Sequence, residues 1–160
     1  MENITKMLQI KKIILICTIF LWMVIVFYFS SQSAVESDST SSQIVNIVIN
    51  LYEKITNKVF SIKNIEIVSY IIRKIAHFTL YFIGSIPVLM LFKTYSISNK
   101  RMYICTILFC FIYSCSDELH QLFSQGRNAN IIDILIDTIG SVCGIIFLEI
   151  VTNIKKIGGI

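Results

Sequence analysis

Four stretches of this chain, each long, apolar and poor in charge, decide most of what it can fold into. They run from Ile13 to Phe29, from about Ile71 to Phe92, from Met102 to about Phe123 and from Ile131 to about Val151. A helix needs about 20 predominantly apolar residues to cross a hydrocarbon core. Inside lipid every backbone N–H and C=O must be satisfied within its own segment, so the runs predict helices and not open strands. The expected fold class is an all-α membrane protein with four transmembrane helices. Composition agrees: 55% of the 160 residues are hydrophobic and only 15% are charged, which excludes an ordinary soluble domain. The first run exceeds the h-region of about 7–15 residues found in a secretory leader and is followed by three more, so it reads as a span. Neither an internal repeat nor a Pro-rich linker divides the chain, which predicts a single domain over residues 1–160. Pro87, the only proline, is expected to kink the second span.

Charge and cysteine usage narrow the function classes. The net charge is +4, with basic residues scattered between apolar runs, so no nucleic-acid partner is expected. The letters DELH at 117–120 match a helicase motif only by coincidence, because the chain has no Gly-rich GK[ST] loop. Cys17, Cys105, Cys110, Cys115 and Cys143 fall inside apolar runs without CxxC spacing and read as small core hydrophobes. Lys6, Lys11, Lys12, Lys93, Lys100, Arg101, Lys155 and Lys156 flank one side of the spans, and Lys54, Lys58, Lys63, Arg73, Lys74 and Arg127 the other. Three of the second set lie in a long loop that counts for less, so both termini are expected in the cytoplasm. The loop 30–70 and the turn 124–130 then face outward.

That outer loop has two parts. Ser30 to Ser42 is serine-rich and is expected to be an irregular polar connector, ending in a helix-cap signal at Ser41 or Ser42. Beyond it Ile44, Val48, Leu51, Ile55 and Val59 recur at helical spacing, predicting an amphipathic helix that either lies on the outer membrane surface or packs over the bundle.

The same topology gathers polar residues at one end of the bundle. Ser30, Ser31 and Gln32 end the first span; Arg73, Lys74 and His77 begin the second; Asp117, Glu118, His120 and Gln121 end the third; Asp133 and Asp137 begin the fourth. Ionisable groups within a span are expensive, and carboxylates at a helix C-terminus or cations at an N-terminus also oppose the macrodipole. Arg73, His77 and Tyr81 are spaced four apart, while Asp117, His120 and Gln121 are spaced three and four apart, so each set can share a face. Asp133 and Asp137 lie one turn apart above Gly140 and Gly144, a GxxxG spacing that admits a close neighbouring helix. With Arg127 counted, three cations face four carboxylates, so a shared, nearly neutral interior site costs less than exposure to lipid.

Each residue also has an ordinary reading. Asn130 as N-cap with Asp133 in the first turn is simple helix-start chemistry. Lys74 can snorkel to headgroups, His77 can be a satisfied buried histidine, Tyr81 can be packing, and Arg127 can be a solvated charge above the bundle mouth.

Arg73, Lys74, His77, Phe78 and Tyr81, then Asp117, Glu118, His120, Gln121, Phe123, Gly126 and Arg127, then Asp133, Asp137, Gly140 and Gly144 resemble the VanZ-like family of bacterial membrane proteins. The Phe29–Gln32 string FSSQ adds to the resemblance. Leu80 stands where many members carry a glutamate, and Gln125 where many carry a proline. The resemblance implies a small helical protein of the bacterial plasma membrane, in a family named for a member associated with teicoplanin resistance. It implies no settled activity. From the residues, the expected ligand is an envelope lipid or lipid-linked cell-wall intermediate, with Arg73, Lys74, Gln121, Arg127 and Asp133 binding it and Asp117, Glu118, His120, His77 and Asp137 available for proton transfer. His77, His120 and the carboxylates also form an N/O donor set for zinc, manganese or magnesium, and the sequence leaves cofactor and metal open. The competing reading is non-enzymatic, with a structural polar core and action through a partner. Transport fits less well, because the polar groups gather at one face rather than the midplane.

Overall fold

The computed structural model describes residues 2–32, 34–57, 61–126 and 129–157, so Arg127 and Val59 lie outside the described residues. The described residues form five helices: α1 (Glu2–Ser31), α2 (Ala34–Thr56), α3 (Ile62–Phe92), α4 (Asn99–Gln121) and α5 (Ile131–Ile157). Helices α1, α3, α4 and α5 each contain a window long and apolar enough to cross a membrane. Among the described residues the secondary structure is thus all-helical, and the protein is multi-pass.

Which face each helix buries follows from its small and polar residues. On α4 the buried positions are Met102, Thr106, Cys110, Ser114, Asp117, Glu118 and Gln121, one stripe at three- and four-residue steps. On α5 Asp133, Asp137, Gly140, Ser141, Gly144 and Ile145 form the equivalent stripe, while Ile132, Leu135, Ile139, Ile146, Phe147 and Ile150 face out. This inverts the soluble pattern. Where lipid surrounds the bundle, large apolar side chains belong outside and small residues mediate helix contact.

The most extensive interface joins α3 and α5. A Cβ on Gly140 would collide with the Phe78 carbonyl, and one on Gly144 with the Phe82 carbonyl and Ser85 Oγ, so the GxxxG spacing brings two backbones together as expected. Helix α1 docks differently. Trp22 Nε1 donates to the Leu80 carbonyl at 2.9 Å, its ring occupies the space a Cβ on Gly84 would need, and Tyr81 packs edge-on against it at 5.4 Å. Tyr113 Oη donates to the Met23 carbonyl at 2.5 Å and ties α4 to α1. All five cysteines are free thiols.

Several boundaries differ from expectation. The serine-rich segment is not an irregular connector: α2 begins at Ala34 and absorbs it. No glycine or proline precedes Gly84, so nothing forces a turn, and serine costs only about 0.5 kcal/mol per helical position relative to alanine. Helix α2 ends at Thr56, and the next residue, Asn57, has a φ of 54°, the left-handed helix-terminating conformation that asparagine tolerates. It packs on α3 with Val45 buried, but the predicted stripe of Ile44, Val48, Leu51 and Ile55 stays exposed. An exposed apolar stripe suits a helix lying in a membrane interface. Helix α1 starts at Glu2, ahead of its apolar run, and α4 stops at Gln121, two residues early, where Leu122, Phe123 and Ser124 donate back into turns. Helix α3 continues through Pro87 to Phe92.

Candidate functional site

The C-terminal ends of α1 and α4 and the N-terminal end of α5 meet the interior of α3 at one pole of the bundle. Helix α3 starts at Ile62, capped by Ser61, so Arg73, Lys74 and His77 do not begin it as expected and do not sit at its dipole's end. Ser30 Oγ at the end of α1 donates to the Asp117 carbonyl at 3.3 Å, and Ser124 Oγ donates to the Ser30 carbonyl at 3.1 Å. Lys74 on α3 pairs with Asp133 on α5, and its ammonium also lies 4.7 Å over the Tyr70 ring. His77 Nδ1 on α3 stands 3.4 Å from Asp137 Oδ1 on α5. Ser114 Oγ on α4 donates to Asp137 Oδ2 at 2.6 Å. At the opposite pole Lys93 pairs with Glu149 at 2.6 Å.

Two of the carboxylates do structural work. Glu118 accepts the Asn130 backbone N–H at 2.7 Å on Oε2 and the Gln121 amide at 3.1 Å on Oε1, which fixes the turn between α4 and α5. Asn130 in turn accepts the Ile132 N–H, so it caps α5 with Asp133 in the first turn, the ordinary helix-start reading. Asp133 is then neutralised by Lys74.

Asp117 and Asp137 are different. Both are fully buried, and each keeps one carboxylate oxygen, Oδ1, without a hydrogen bond. Asp117 Oδ2 has only the Gln121 amide at 3.4 Å. His77 Nδ1, Tyr81 Oη and His120 Nδ1 are buried and without a hydrogen bond as well, so five of the six such atoms found among the described residues cluster in or just below this pole. Buried polar atoms are normally satisfied, and a concentration of exceptions calls for a cause.

The structure brings His77, Asp117 and Glu118 together: one potential ligand atom from each lies within 4.8 Å of the others. His120 is not in that group. It turns toward α1 and stacks on Phe27, with ring centroids 3.8 Å apart. Arg73 sits one turn before His77 and is half-buried. Tyr81 lies a turn deeper, against Trp22 and Tyr113.

A family model described as VanZ/LLP1 matches residues 15–152. The chain belongs to the VanZ/LLP1 family. No curated protein and no solved structure matches it.

In this VanZ/LLP1 chain sequence reasoning missed Ser114 and Phe27. Ser114 had a readable signal, because it lies on the same stripe as Cys110, Glu118 and Gln121. Phe27 had none, since an aromatic in an apolar span is indistinguishable from packing. Chemically, a histidine with a buried carboxylate at Nδ1 has its tautomer and ring plane set, leaving Nε2 for a proton or a ligand. Four described carboxylates, Asp117, Glu118, Asp133 and Asp137, share the pole with the cations Lys74 and Arg73.

Proposed function

We propose that the acidic pole binds the polar headgroup of an envelope lipid or a lipid-linked cell-wall intermediate. The single observation that carries this is Asp117, fully buried with Oδ1 lacking a hydrogen bond, beside unsatisfied Tyr81 Oη and His120 Nδ1. A purely structural core would pair these groups, as Glu118 and Asp133 are paired and as His77 and Asp137 face each other. Arg73 and Arg127 are the cations for a headgroup phosphate, with Gln121 and the Lys74–Asp133 pair at the rim. Asp117 and His77 are the groups for proton transfer, His77 being oriented by Asp137; Glu118 and His120 are second choices, because one holds a turn and the other a ring stack.

The bundle ends carrying Lys12, Lys93, Arg101 and Lys155 are the more basic ones, which supports an outward-facing acidic pole in the plasma membrane with both termini in the cytoplasm. There the pole meets outer-leaflet headgroups, and an effect on teicoplanin susceptibility, as the family's name implies, follows from binding a lipid-borne cell-wall component.

The alternative, a non-enzymatic protein acting through a partner, is favoured by the structural roles of Glu118 and Asp133. Gentle detergent purification followed by native mass spectrometry separates the two. Headgroup binding predicts a retained phosphate-bearing lipid at about one per chain; the alternative predicts only a nonspecific, polydisperse lipid shell.

A further inference from the structure

Three helices contribute to one small constellation inside the pole to which headgroup binding is assigned above, and its donor set specifies that site further. Helix α3 supplies His77, α4 supplies Asp117 and Glu118, and α5 supplies Asp137. We infer that His77, Asp117 and Glu118 bind a divalent transition-metal ion, with Asp137 positioning His77 for it.

Geometry comes first. Donor atoms of the three ligands lie within 4.8 Å of one another. Two atoms bonded to one ion at about 2.1 Å stand at most about 4.2 Å apart, so a small side-chain closure completes the set. One imidazole with two carboxylates is a borderline-hard N/O set, suited to manganese or zinc and leaving positions open for a headgroup oxygen.

The surroundings match what such ions require. A metal-bound histidine normally presents its other ring nitrogen to a carboxylate, and Asp137 Oδ1 lies 3.4 Å from His77 Nδ1. Asp137 is itself held by Ser114, and Glu118 by the Asn130 N–H and the Gln121 amide, so ligand and support are both oriented. An independent observation points to a ligand: Asp117 is fully buried and its Oδ1 has no hydrogen bond. Charge agrees too. Asp117, Glu118 and Asp137 surround one imidazole in an apolar bundle, an excess of negative charge that a divalent cation removes. The partly exposed edge of His77 gives an ion access from the pole.

The inference shares its site with the headgroup proposal but not its readout, since ion binding is measured in detergent without added lipid. The probe is Mn²⁺, titrated into the full-length, tag-free, chelator-stripped chain and followed by electron paramagnetic resonance. The expected result is one ion per chain with pulsed-resonance coupling to one imidazole nitrogen. The chain has two histidines, so His120→Gln keeps that coupling and His77→Gln abolishes it. Asp137→Asn keeps the coupling but weakens affinity about 10–100-fold, as loss of an orienting partner does. Asp117→Asn weakens it further, and Glu149→Gln at the far pole changes nothing. Absence of binding at millimolar Mn²⁺, binding without nitrogen coupling, or coupling lost in His120→Gln overturns the site. Wild type and His120→Gln alone decide the matter if the other variants fail to accumulate. Lipid retention with no Mn²⁺ binding leaves the headgroup proposal standing without the metal, and the reverse result separates them the other way.

Discussion

Asp137 shows how this chain keeps a carboxylate a full turn inside a membrane span. Its Oδ2 takes a 2.6 Å hydrogen bond from Ser114, while Oδ1 faces His77. Hydrogen bonds to charged groups contribute about 1.5–3 kcal/mol. Ser114→Ala is therefore expected to lower stability by about that amount in reversible unfolding of the purified protein, whereas Ser116→Ala, whose hydroxyl only bonds back to the Tyr113 carbonyl on an exposed face, changes little. Equal stability of the two variants contradicts this role for Ser114. Residues were legible in the sequence where the information is local. The Asn130 cap over Asp133 is written three residues apart. The Lys74–Asp133 pair spans 59 residues and Ser30–Asp117 spans 87, so topology alone could place them near each other and only the fold could match them.

At the level of elements, the four spans were legible because lipid sets both their length and their apolarity. The start of α2 was not, because serine density reads as turn chemistry although no glycine or proline enforces a turn there. Helix contact was legible at Gly140 and Gly144 and hidden at Gly84, where the partner is the side chain of Trp22 rather than a second small-residue stripe. Backbone carbonyls of Phe78 and Phe82 have little room to retreat. Gly140→Ala and Gly144→Ala are each expected to destabilise by about 1–3 kcal/mol, the usual cost of overpacking, read as a fall in thermal midpoint in detergent. Midpoints unchanged from wild type contradict the close α3–α5 approach.

For the whole molecule, antiparallel crossing of four spans is what gathers polar residues from distant parts of the chain at one pole. That gathering was legible in the sequence, including the pole's occupants Ser30, Lys74, His77, Asp117 and Asp137. Its internal division was not: Glu118 and Asp133 hold structure, His77 and Asp137 face each other, and Asp117 is buried with Oδ1 lacking a hydrogen bond. Sidedness carries its own prediction. In a cysteine-free background, a cysteine at position 124 is expected to react with a membrane-impermeant thiol reagent in intact cells, while cysteines at 6 and 155 react only after permeabilisation. The reverse labelling places the acidic pole in the cytoplasm and contradicts access to outer-leaflet headgroups. The central claim, that the pole is a ligand site and not a structural core, is tested most directly by Asp117→Asn. Its shape is conserved and a buried negative charge is removed, so a functional site predicts an unchanged or raised thermal midpoint, with the phosphate-bearing lipid, held by the cations, still retained. A lowered midpoint contradicts it.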